Sequence, residues 1–143
     1  MPISREFRRA VEQVIVDMFA IHTANATSNL TLTTSAQDVP GATITLAAAG
    51  TYLILATFKF DATAGSSVSS CIGLLTVDGV DQTGIAELGY FTSNERVRAS
   101  VHQHWIVTTA ANKVAKLRAR KVTDYGSMFA QGTDTRITAI KLA

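Results

Sequence analysis

The chain is expected to be all-β, a two-sheet antiparallel sandwich preceded by one N-terminal α-helix. Three observations predict this. Residues 4–22 carry apolar side chains at alternating steps of three and four, the spacing that lines one side of a helix. From about Leu30 to the end the chain is rich in β-branched residues, with Gly and Pro where turns are needed and no helical stretch between them. Inside several of those runs apolar and polar residues alternate, as in a strand with one face turned to a core.

The helix comes first. Phe7, Val11, Val14, Met18 and Ile21 form its stripe, and Ser4 is placed to cap its free backbone N–H groups. The spacing is heptad-like, but Ile15, Val16 and Phe19 widen the apolar surface beyond a two-position seam. Such a helix wants enclosure, either on its own domain or as an anchor against sister subunits or a larger assembly. Residues 1–28 are therefore read as helix and connector, and residues 29–143 as the β body.

Strands are expected near 30–33, 41–47, 50–60, 71–78, 83–90, 96–108, 113–123 and 135–142. Val39-Pro40-Gly41, Ala49-Gly50, Asp78-Gly79 and Gly132-Thr133-Asp134 supply the turns, and Ala62–Ser70 reads as a small, polar, mobile loop. In the strand at 96–107 the odd positions Val97, Ala99, Val101, Trp105 and Val107 are apolar. The even positions Arg96, Arg98, Ser100, His102 and His104 are polar. Ala115, Leu117 and Ala119 alternate in the same way with Lys116, Arg118 and Arg120.

The strand at 50–60 departs from that rule. Tyr52, Ile54, Ala56, Phe58 and Phe60 share one face, yet Leu53 and Leu55 begin the other. In a two-layer β protein only one face meets the core. Leaving two leucines in water forgoes about 1.5–3 kcal/mol each, so a second copy is expected to cover them. Composition agrees. The chain has 143 residues, enough for one core, but 47% are apolar and only 17% charged. A lone monomer of that balance has apolar surface to spare.

The totals also exclude several classes. A net charge of +2 points to no partner by itself, and Cys71 is the only cysteine, so no internal disulfide forms. Charges at Arg5, Glu6, Arg8, Arg9, Glu12 and Asp17 break up the N-terminal region, so no signal peptide or membrane span is expected. The glycosylation sequons at Asn25 and Asn29 are then chance matches, and the protein is expected to be made in a cytoplasm.

The segments Asp38-Val39-Pro40-Gly41-Ala42-Thr43-Ile44-Thr45-Leu46 and Ala49-Gly50-Thr51-Tyr52-Leu53-Ile54 resemble the start of the tumour-necrosis-factor-like jelly roll, the fold shared with the complement globular head. The Gly-x-Tyr opening of a long, doubly apolar strand carries most of the likeness. The ending, Asp134 to Leu142, is similar to that family's final strand. The resemblance covers about residues 29–143 and implies ten short strands in two sheets, with three subunits meeting through the inner one. The homotrimer interface it implies here comprises Tyr52, Leu53, Leu55, His102, His104, Ile140 and Leu142.

The small-residue turns make the sequence most similar to versions of the fold in tailed bacteriophages, where it forms capsid decoration proteins, head fibres and tail-fibre domains. With one short helix and no long shaft, a capsid decoration or head-fibre protein is the expected role. Its partners are then itself and the major capsid protein or another virion protein, and its location is the virion. The alternative is a tail-fibre or tail-tip domain that binds the host cell surface.

Little in the sequence points to chemistry. His102-Gln103-His104 has the spacing of metal-binding cupin jelly rolls, but the expected Glu and later His are missing. A metal-dependent enzyme is the remote alternative; one chain lacks the ligands, though three copies at a three-fold axis supply six imidazoles. The plainer reading is an interface or solvated pair, in which acidification adds like charge beside Arg96 and Arg98. Arg96, Arg98, Lys113, Lys116, Arg118, Arg120 and Lys121 give a basic bias without the exposed aromatics that nucleic-acid binding usually adds. No nucleic-acid partner, cofactor or catalytic residue is expected. The scattered aspartates, among them Asp38, Asp61, Asp78 and Asp81, read as turn residues, and Cys71 as a small core residue. Tyr125, Met128 and Phe129 form the most plausible contact loop, unless Phe129 tucks into the end of the sandwich.

Overall fold

The computed structural model describes residues 4–18, 20–63, 69–89, 96–124 and 126–143. Helix α1 spans Arg5–Met18 and begins as expected, with the Phe7 amide donating to Ser4 Oγ at 3.1 Å. It stops short of the expected end. Residues Ile21–Asn25, read as helix and connector, instead form strand β1. Ile21 is therefore a strand residue and no part of an anchor helix. The segment Ile-His-Thr-Ala-Asn is mixed in propensity, and the free edge of the last strand supplies it with a ladder of hydrogen bonds.

Ten further strands follow, β2 (Leu30–Thr31), β3 (Gln37–Leu46), β4 (Gly50–Thr63), β5 (Cys71–Val77), β6 (Val80–Asp81), β7 (Ala86–Leu88), β8 (Arg96–Thr109), β9 (Lys113–Lys121), β10 (Ser127–Ala130) and β11 (Arg136–Lys141). They make two antiparallel sheets. In the first, β1 pairs with β11 and β11 with β4; β10 continues beside β4 and pairs with β2, while β8 runs along the other side of β4. In the second, the order is β3-β9-β5-β6, with β7 also pairing β5. The expected two-sheet antiparallel sandwich with one N-terminal helix is the architecture observed.

The core lies between the sheets and uses the faces the alternation marked. Tyr52, Ile54, Ala56, Phe58 and Phe60 of β4 are buried, as are Trp105 and Val107 of β8, Ala115, Leu117 and Ala119 of β9, and Ile137 and Ala139 of β11. The Phe58 and Phe60 rings stack with centroids 5.7 Å apart. Across the sandwich Phe58 lies against Gly73 of β5, where a Cβ would stand 2.5 Å from the ring. Cys71 is buried, and burial pushes its thiol up to about 12.

Turns follow their residues in part. Asp78 and Gly79, with φ of +54° and +82°, join β5 to β6 as a two-residue hairpin turn. Val39-Pro40-Gly41, expected as a turn, lies inside β3, where pairing with β9 shifts register between Asp38 and Thr43. Gly41 has φ +81°, and a Cβ there would meet Thr27 Cγ2 at 2.5 Å, so only glycine fits this bulge. The expected mobile loop, Ala62–Ser70, is corrected at both ends. Ala62 and Thr63 still belong to β4, and Ser69 and Ser70 are buried; residues 64–68 lie outside the described residues.

Candidate subunit interface on the six-stranded sheet

Side chains at successive positions of a strand point to opposite faces, so residues of β4 at odd numbers turn away from the core. The pairing then sets their neighbours abreast. Ile21 of β1, Ile140 of β11, Leu53 of β4 and Ile106 of β8 form one row across four strands. The next row is Thr23, Thr138, Leu55 and His104, and the third is Asn25, Arg136, Thr57 and His102. Ile21 is 63% exposed, Ile106 69% and Leu55 40%. A contiguous row of four branched aliphatic side chains on a solvent-facing sheet is unusual for a monomer.

The polar groups around this row are ordered. Thr51 and Thr108 hydroxyls meet at 2.9 Å on one side of it, and Thr23 and Thr138 at 3.0 Å on the other. Thr57 Oγ1 lies 3.1 Å from His102 Nδ1. Farther along β4, Asp61 accepts from Arg96 Nε at 2.9 Å and Nη2 at 2.7 Å, from Arg98 Nε at 3.0 Å and from Gln131 Nε2 at 3.1 Å. These bonds, the Arg96 one foremost, hold the Asp61 carboxyl at about 2. The face thus grades from aliphatic near the chain ends to ionic near the 60s.

Most residues expected at an interface lie on this surface. Leu53, Leu55, His102, His104 and Ile140 do so through the rows above, and Leu142 is exposed beside them, its amide donating to Thr51 O. Tyr52 does not. It is 2% exposed on the core face, its hydroxyl donating to Ala48 O at 2.7 Å, because even positions of β4 point inward. Ile106 belongs to the surface and was missed; it stands on the even, polar side of β8, where an aliphatic residue after His104 was the available signal. Asp61 is a second miss, lying in β4 as the hub of an ionic cluster and not in a turn.

Helix α1 presents Phe7 and Val11 to solvent, at 59% and 40% exposure, so its first turns do not pack on the sandwich. The side chains of Val14, Ile15 and Met18, and residue Phe19 altogether, lie outside the described residues. The expected contact loop is corrected in part. Met128 is fully buried in β10, where Cys71 Sγ approaches its sulfur at 3.5 Å, and Phe129 is half-buried in the same strand. Tyr125 lies outside the described residues.

The basic bias of β9 is locally neutralised except at Arg120, which makes no ion pair among the described residues. Lys113 pairs with Asp78, Lys116 with Asp38 at 2.9 Å, Arg118 with Asp38 at 3.2 Å and Asp81 at 3.5 Å, and Lys121 with Asp124 at 3.1 Å. No group of three metal-ligating side chains occurs among the described residues, and no described helix is long and apolar enough to cross a membrane.

No family model and no curated protein sequence matches the chain. Solved structures do. It is similar to Eiger TNF from S. frugiperda at 12% identity and a TM-score of 0.56, over 87% of this chain and 93% of that one. It is also similar to murine APRIL at pH 8.5, at 7% identity and a TM-score of 0.57, over 87% and 99%. The structure of murine APRIL at pH 5.0 gives 6% identity, 0.57, 87% and 99%. At such identities the likeness is one of fold, and it agrees with the two antiparallel sheets described above: the chain folds as a tumour-necrosis-factor-like jelly roll.

Proposed function

We propose that this protein is a homotrimeric virion structural protein of a tailed bacteriophage, a capsid decoration or head-fibre protein that acts by assembly and catalyses nothing. The observation that carries the assembly is the row Ile21–Ile140–Leu53–Ile106 on the face of the six-stranded sheet turned away from the core. Covering it removes the exposed Ile21 and Ile106 and the remaining exposed parts of Leu53 and Ile140 from water, where full burial of one such side chain contributes about 1.5–3 kcal/mol. Three copies around one axis multiply that gain and present three anchors together. The virion role is supported by the similarity of the sequence to phage versions of the fold, and by a helix whose exposed Phe7 and Val11 are free to meet a shell protein or sister helices.

The test is made on particles. Virions lacking the protein should still adsorb to their host and lose heat resistance. Normal heat resistance with lost adsorption would move the protein to a tail tip, and a protein absent from purified particles would end the proposal.

A further inference from the structure

Two cations on the outward face of the six-stranded sheet lack an acidic partner. Arg96 and Arg98 share Asp61, and Lys113, Lys116, Arg118 and Lys121 of the other sheet have the aspartate partners described above, whereas the side chains of Arg136 and Lys59, like that of Arg120 on the other sheet, make no ion pair among the described residues. Arg136 and Lys59 flank Thr57. Arg136 is its register partner on β11, and His102 its partner on β8. With Nδ1 held by the Thr57 hydroxyl, the His102 ring has its other nitrogen left over.

The side chains of Arg136, Thr57 and His102 line a hollow. Its wall is Leu55, Thr57, His102, His104, Arg136 and Thr138, and its volume is about 300 Å³. A second hollow of about 330 Å³ shares Thr57, His102 and Arg136 and adds Asn25, Lys59, Ser100, Thr133 and Asp134. Asp134 is the one carboxylate among the residues that line the two. The groups are a guanidinium, an ammonium, two imidazoles and hydroxyls, which between them offer donors and positive charge.

We infer that the hollow lined by Arg136, His102 and Lys59 is a binding site for a small tetrahedral oxyanion of the phosphate or sulfate class, held by Arg136 and His102 with Lys59 adding charge. Guanidinium forks match such oxygens two at a time, and charge-assisted bonds of this kind are the strong ones. The site is complete within one chain and goes beyond the trimer proposed above. If copies do cover this face, the same anion neutralises cations that are otherwise costly to bury unpaired.

Calorimetric titration of the whole protein with inorganic phosphate, against sodium chloride at equal ionic strength and neutral pH, tests it. Phosphate should bind saturably and chloride should not. Arg136→Gln should weaken binding about tenfold or more, and His102→Gln should weaken it as well. Lys116→Gln, which removes a cation already paired with Asp38, should leave it unchanged. Absence of saturable binding would overturn the inference, as would equal affinity in Arg136→Gln or an equal loss in Lys116→Gln. Chain mass, measured on the same samples, reports assembly separately, so loss of one idea is not mistaken for loss of the other.

Discussion

Gly73 occupies a position where the two sheets approach too closely for a methyl group, since the Phe58 ring fills the space 2.5 Å from where its Cβ would be. Gly73→Ala should therefore overpack the core and cost about 1–3 kcal/mol, read as a lower urea midpoint with an unchanged slope. Asp61 offers a second test. Its carboxyl is held at about 2, below the ordinary 3.8, chiefly by the Arg96 hydrogen bonds. A carboxyl lowered in the folded state contributes stability that is present above about 3.8 and lost as pH falls through about 2. Asp61→Asn should thus melt below the wild type at pH 7, and the gap should close between about pH 4 and pH 2. A gap independent of pH would mean that the ion pairs do not contribute through charge.

At the scale of the elements, parity decides what each strand does. The long strand β4 is apolar on both faces at its start, and pairing converts Leu53 from a sequence anomaly into the middle of a four-strand row. Leu53→Asp and Leu55→Asp are expected to shift the protein from trimer towards monomer while leaving the sandwich folded, because both side chains point away from the core. Circular dichroism beside size-exclusion chromatography checks both halves; unchanged elution with native dichroism would remove the interface from this face. The helix–strand order and the alternating faces were legible because period 3.6 and period 2 leave different marks. Other features were not. Ile21 continues the helical spacing, so only the presence of β11 beside it shows that it is a strand residue. Pro40-Gly41 has the composition of a turn, and its place in a bulge depends on the register with β9. Family likeness puts Tyr52 at the interface, whereas its even position in β4 assigns it to the core. The run around Met128 reads as a loop, and the four-residue strand β10 next to β4 buries it.

For the whole molecule, the two outer faces of the sandwich differ. The five-stranded sheet carries most of its basic side chains in pairs with aspartates, whereas the six-stranded sheet carries aliphatic side chains in a line. Apolar contacts of that kind gain most from a self-complementary or cyclic assembly, in which one patch serves every copy. The first turns of the helix expose Phe7 and Val11. Three-fold closure over the outer face of the six-stranded sheet is what we propose. Sedimentation equilibrium or native mass measurement of the whole, unmodified protein at neutral pH tests it most directly. The mass should be three times the 15.2 kDa of one chain, and a single-chain mass that persists at high protein concentration would contradict it.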